Sequence, residues 1–178
     1  MFIPTVSPSL SKGDTMSSVK PVPEGFHTIT PYLVVKDAGK AIEFYSRAFG
    51  SKEVHRHLCE QTGKIMNAQI RIGNSMLMLN DEMPDFGCLG PVEGQKVPVT
   101  LHLYVSDVDA FFENAVSAGA TPTMPVSDTF WGDRYGQLAD PFGYQWSVAT
   151  RKEDLSNDEI MERARRVFPS GAPDPSAS

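Results

Sequence analysis

The chain has 178 residues, 40% of them apolar, and its 16 Lys plus Arg stand against 22 Asp plus Glu for a formal charge of −6. That length suits one domain or two small modules sharing a core, and the acidic balance disfavours nucleic acid and anionic membranes as partners. Cys59 and Cys88 lack the spacing of a disulfide framework or a zinc ribbon, and no apolar run reaches the length of a membrane span, so reduced thiols and a cytoplasmic location are expected.

Residues 1–25 are rich in Pro, Ser and Gly without periodicity, which predicts a disordered arm. The opening MFIPTVSPSLSKGDT has neither the charged start nor the continuous apolar run of a secretory signal, and Met16 is an alternative start. A single domain is expected over 26–152, made of modules 27–82 and 99–149 with a Pro- and Gly-rich linker at 83–98.

In the first module HTITPYLVV alternates as a strand does, with Pro31 marking a strand start or an unpaired edge. Asp37 caps a helix whose inward stripe is Ala38, Ala41, Ile42, Tyr45, Ala48 and Phe49, and Gly50 ends it. Three strands follow, KEVHRHLC, KIMNAQIRI and SMLMLN, joined by a loop at Gln61–Gly63 and a tight turn at Gly73-Asn74. The second module repeats the plan: VTLHLYV, the cap Asp107, the stripe Val108, Phe111, Phe112, Ala115 and Ala118 ending at Gly119, then a strand near Thr121–Val126, FWGDRYGQLA, the turn ADPFGY and QWSVAT.

Leu33, Val35, Asp37 and Gly73 thus return seventy residues later as Leu103, Val105, Asp107 and Gly143. Each half offers a sheet face too small to bury alone, so two copies must pair, and two facing half-sheets make a cup. Beyond Thr150, Ser156 with Glu159 forms a capping box for a helix within 153–168, with an apolar stripe of Ile160, Met161, Ala164, Val167 and Phe168 that must dock on its own domain or on a partner. The tail 169–178 reads as disordered.

PYLVVKDAGKAIEFYSRAFG followed by FWGDRYGQLADPFGYQWSVAT resembles the glyoxalase I, bleomycin-resistance and extradiol dioxygenase superfamily, the vicinal oxygen chelate proteins, and within it the PhnB-like branch. The resemblance spans about residues 27–152 and implies an α+β fold: two βαβββ modules forming a U-shaped eight-stranded sheet, commonly as a homodimer. Metal enzymes of the superfamily place His or Glu at four cup-lining positions, which fall here on Thr30, Met78 or its neighbour Leu77, Thr100 and Ser147. Hydroxyls and thioethers do not supply the donors a catalytic divalent metal needs, so no cofactor is expected.

Alternation puts Thr100, His102 and Tyr104 on one strand face, so His102 is the candidate base or ligand-orienting group, with a hydrogen-bonded core histidine as the plainer reading. Phe130–Gly136 gathers Trp131 and Tyr135, able to stack a flat ligand, Arg134, able to meet a carboxylate, and Asp133, a possible acid-base partner of His102; the structural alternative is a local Asp133–Arg134 pair. Trp146 runs out of phase with Ser147 and is expected in the core, whereas Tyr32 shares parity with Thr30 and Gln145 with Ser147, giving a polar-aromatic lining. Met76 and Met78 offer a soft wall. His55, His57 and Cys59 alternate on an outer strand, a row that could bind a stray zinc but offers only three donors, so a solvated edge is the expectation.

These features lead to two readings. One is a small-molecule-binding protein of the bleomycin-resistance type, holding an aromatic or modestly apolar ligand in its cup without the usual metal centre. The other is an enzyme of glyoxalase-like or dioxygenase-family type, a lyase or isomerase acting on a small carbonyl compound through an unorthodox metal site or through His102. The expected partners are that small molecule and a second copy of the chain, with no nucleic acid and no membrane.

Overall fold

The first helix starts where its first backbone N–H groups find acceptors. The computed structural model, which describes residues 19–92, 94–95 and 97–168, places β1 at Tyr32–Val35 and α1 at Ala38–Phe49. The Asp37 carboxylate accepts from Lys40 N at 2.9 Å, and Ala38 N donates to Asp81 at 2.6 Å. Gly50, at φ 65°, closes the helix in the left-handed conformation that glycine adopts without cost. In the second copy, β5 is Thr100–Tyr104 and α2 is Val108–Ala118; Asp107 accepts from Ala110 N at 3.1 Å, and Val108 N donates to Thr150 at 2.8 Å. Each helix is therefore capped once from its own entry and once from the last strand of its module.

The remaining described strands are β2 (Lys52–Leu58), β3 (Ile65–Ile72), β4 (Ser75–Asp81), β6 (Thr121–Asp128), β7 (Asp133–Ala139) and β8 (Gln145–Arg151), with a 3-10 turn at Pro84–Phe86 and a third helix, α3, at Asn157–Val167. They form two four-stranded mixed sheets of matching order, β1-β4-β3-β2 (sheet 1) and β5-β8-β7-β6 (sheet 2), with the first strand of each module parallel to its last. The fold is the α+β arrangement of two βαβββ modules, its eight strands divided between the two sheets. The β1 strand begins five residues later than the alternation of HTITPYLVV suggests, because Pro31 brings no N–H to a ladder, although its carbonyl still accepts from Met78 N at 2.9 Å. The expected arm falls partly, and the tail wholly, outside the described residues; Met1 and Met16 lie outside them too.

One core serves both modules. Leu33, Val35, Ile70 and Leu79 of sheet 1 join Leu138, Trp146 and Val148 of sheet 2 in a single buried cluster. Phe49 of α1 stacks on Phe111 of α2 at 5.6 Å and touches Trp146 at 4.7 Å, and Asn114 of α2 donates to the carbonyls of Arg47 and Ala48. Both sheets thus turn their helix-covered faces toward a common seam, leaving the opposite faces open; Tyr32 there is 50% exposed and Tyr104 66%.

Asp140 of the ADPFGY turn fastens the seam. Only 6% exposed, it accepts from the Tyr45 hydroxyl of α1 at 2.7 Å, from Trp146 Nε1 at 2.8 Å, and from the backbone N–H of Phe142 and Tyr144 at 2.9 Å each. Burial pushes its carboxyl pKa up, and the four donors pull it back. Tyr144, on the same turn, accepts from Val34 N at 3.1 Å and donates to Val34 O at 2.9 Å, satisfying groups on the outer edge of β1 that no strand pairs. Asp140→Ala strands two buried side-chain donors and should cost about 3 kcal/mol or more, and Tyr144→Phe about 1–2 kcal/mol. Urea unfolding measures both, and a loss below about 1 kcal/mol for Asp140→Ala would contradict the role given to this carboxylate.

Candidate functional site

Strand register decides which side chains share each open face. On sheet 2, Thr100, His102 and Tyr104 pair with Gln145, Ser147 and Ala149 of β8, and those with Ala139, Gln137 and Tyr135 of β7. Directly paired residues point the same way, so this face gathers Thr100, His102, Ser147, Tyr135 and Tyr104, with Asp133 at its end. Trp146 and Val148 take the other parity and are buried against the helices, as their phase predicts.

The aromatic groups on this face form one contiguous set. His102 lies edge-on to Tyr104 at 4.6 Å and parallel to Tyr135 at 6.1 Å, and Tyr135 meets Trp131 edge-on at 5.7 Å. Beneath them Asp133, 7% exposed, accepts from the Tyr104 hydroxyl and from Trp131 Nε1, both at 3.1 Å. A buried carboxylate thereby orients two aromatic rings by their polar ends. A hollow of about 820 Å³ lies against Tyr104, Trp131, Asp133, Arg151 and Ile160, the last from α3.

His102 Nδ1 lies 2.7 Å from Ser147 Oγ. Burial pushes its pKa below the ordinary 6.5, while the charge of Asp133 pulls it back part of the way. The fold therefore disfavours the protonated imidazole and orients the ring through Nδ1, with Nε2 making no hydrogen bond to any described residue. His102 and Asp133 are not bonded to each other; their coupling is through space.

Two expected members leave this set. Arg134 has the opposite parity to Asp133 and points to the helix side, where Asp109 of α2 grips its guanidinium with two contacts of 2.6 Å and Asp128 adds a third at 3.2 Å. Its partners are thus Asp109 and Asp128, and the alternative pair with Asp133 does not form. Thr30 precedes the sheet, its hydroxyl spent on His27 O at 3.0 Å. Tyr32 and Met78 pair across β1 and β4 on the open face of sheet 1, whereas Leu77, the alternative to Met78, lines a hollow of about 460 Å³ together with Met76, Thr100 and His102. One chain therefore presents Tyr32 and Met78 on the face of sheet 1 and the aromatic set on the face of sheet 2, with Met76, Leu77, Thr100 and His102 around a hollow that both sheets line.

The donor set does not fit the superfamily's metal. Thr30, Thr100 and Ser147 offer hydroxyls and Met78 a thioether, and among the described residues no three His, Cys, Asp or Glu converge on one point. Tyr104 and Ile160 are additions to the expected site. The parity of TLHLY already contained Tyr104, but nothing local showed that α3 would bring Ile160 beside it.

The appendage is fastened to the aromatic segment at both ends. Gly132 O accepts from Lys152 N and Glu153 N, Glu153 takes both arms of Arg163 at 2.7 Å, and Phe130 meets Phe168 edge-on at 6.0 Å. The capping box of Ser156 and Glu159 forms as its spacing predicts. Met161 and Val167 remain exposed, so α3 covers the hollow with only part of its stripe. No described helix is long and apolar enough to cross a membrane.

Comparison with known proteins agrees with this architecture. An uncharacterized protein of Mycobacterium tuberculosis is 43% identical over 155 residues, covering 84% of this chain and 86% of its own. The crystal structure of TioX from Micromonospora sp. ML1 superposes with a TM-score of 0.56 at 25% identity, over 69% of this chain and 97% of that one. The PhnB protein from Bacillus cereus shares the fold at 18% identity with a TM-score of 0.55, over 70% and 99% of the two chains. The sequence model of the Glyoxalase/Bleomycin resistance protein/Dioxygenase superfamily matches residues 25–148, and with the paired βαβββ modules this places the chain in that superfamily.

Proposed function

We propose that this protein binds a small aromatic or modestly apolar molecule against the open face of sheet 2, without the metal centre that enzymes of its superfamily use. The observation that carries the reading is the continuous set of Trp131, Tyr135, His102 and Tyr104 above a carboxylate that positions two of them. Such a surface supplies large, rigid contact area with few hydrogen-bonding groups, the composition of a site for a flat ligand. A second copy of the chain completes the enclosure, because the open faces of both sheets carry half-exposed tyrosines that a monomer leaves in water.

The second reading rests on one observation, the imidazole of His102, disfavoured in its protonated form and held at Nδ1 with Nε2 unengaged. A base placed this way can take a proton from a carbon next to a carbonyl, the step of a lyase or isomerase acting on a small carbonyl compound.

Three outcomes separate and test these readings. Calorimetric titration with 2-naphthol, an uncharged flat probe, should show Trp131→Ala weakening affinity by about tenfold, which is about 1.4 kcal/mol, while His102→Gln stays within about threefold. The opposite ranking favours proton-transfer chemistry. Light scattering at micromolar concentration should give the mass of a dimer, and a monomer would leave the faces uncovered and remove that part of the reading.

The third outcome concerns pH. Because folded His102 takes a proton less readily than at its ordinary 6.5, the unfolded chain binds that proton first as pH falls, and stability drops below about that value. The melting temperature of His102→Gln should therefore fall less than that of wild type between about pH 7 and about pH 5.5. Identical slopes would show that the fold does not disfavour the protonated imidazole.

A further inference from the structure

We propose that His55 and His57 form a divalent-cation site on the open face of sheet 1, outside the four positions that metal enzymes of the superfamily use. Sequence parity puts the two side chains on one face of β2, and the register says which. His55 pairs with Gln69 of β3, Gln69 with Met78 of β4, and Met78 with Tyr32 of β1, so the imidazoles share the face of Tyr32 and turn away from α1. The expectation of an edge strand is met, since β2 is last in its sheet and exposed along its whole length. Its histidines, however, belong to the same face as the candidate ligand-facing residues.

The two Nε2 atoms are aimed at each other, 2.5 Å apart, with ring centroids at 4.1 Å. No other described residue bonds to either atom. A cation accepting both lone pairs at about 2.0–2.1 Å needs the nitrogens about 3.3 Å apart, so opening the pair by under about 1 Å suffices. Both side chains are exposed and can make that movement. Neutral imidazoles select Zn²⁺, Ni²⁺ or Cu²⁺ over Mg²⁺ and Ca²⁺, which prefer oxygen.

The surroundings limit the site to two protein nitrogens with weaker oxygens beside them. Asn67 and Gln69 lie directly opposite His57 and His55 and offer amide carbonyls, and water takes what remains. Cys59, third in the H-x-H-x-C row, has left the strand and donates its thiol to Gln61 at 3.2 Å, so it does not join. Arg56 lies between the histidines in sequence but is held by Glu53 through two contacts of 2.8 Å. The site stands on this geometry alone and does not depend on what sheet 2 binds.

Titration of the full chain with Zn²⁺ by calorimetry should show one site per chain. His55→Gln and His57→Gln should each weaken it at least tenfold, and the double variant should be little weaker than either single one, because a chelate is lost when either arm goes. His27→Gln, remote from the pair, should bind as wild type does. Undiminished affinity in the double variant, or single losses that add up in it, overturns the proposal. An electron paramagnetic resonance spectrum of the Cu²⁺-loaded wild-type chain tests the same geometry without any substitution: hyperfine structure from two equivalent imidazole nitrogens supports the site, and one nitrogen or none overturns it.

Discussion

The carboxylate of Asp140 is where the two modules become one protein. Each module on its own would leave a helix face and a sheet face of large aromatic residues in water, so the seam between them must close without voids or unpaired polar groups. Asp140 reaches from the last turn of the second module to Tyr45 on the helix of the first, and the same carboxylate holds Trp146 and two backbone N–H groups. Its burial is costly in isolation, and four donors offset that cost. Tyr144, two residues before the β8 residue Trp146, covers the free edge of β1, so one tight turn serves both the core and an edge that would otherwise be open to further pairing.

Fastening the helices to each other decides where the site can be. With both helix-covered faces consumed by the seam, the open faces of the sheets are what remain for a ligand or a partner. Sheet 2 uses a second buried aspartate for a different purpose: Asp133 orients the polar ends of Trp131 and Tyr104. Asp140 and Asp133 thus do the same chemistry in two places, one securing the scaffold and the other arranging a surface. Arg134 shows the cost of this division, since the parity that buries Asp133 under the aromatic set sends the guanidinium to α2 and Asp109.

Much of the fold was legible because its signals are local. The Asp caps, the glycine stops, both amphipathic stripes, the turn at Gly73-Asn74 and the capping box of α3 each follow from backbone chemistry within a few residues. Alternation also sorted Trp146 from Ser147 and grouped Thr100, His102 and Tyr104. It failed at Thr30, where Pro31 delays the ladder, while Arg134, grouped with Asp133 and Tyr135 as one segment and not by alternation, turns to the other face.

By itself, then, the sequence determined the repeat, the order of elements and the parity within each strand, because each of these depends on residue type and short-range spacing. Tertiary structure alone decided that Asp140 bonds to Tyr45 across 95 residues, that α3 brings Ile160 beside Trp131, that Tyr32 and Met78 lie on one open face and the aromatic set on the other, and that His55 and His57 turn toward Tyr32. Those facts depend on strand register and on the packing of one helix against another, and neither is written in the pattern of any single segment.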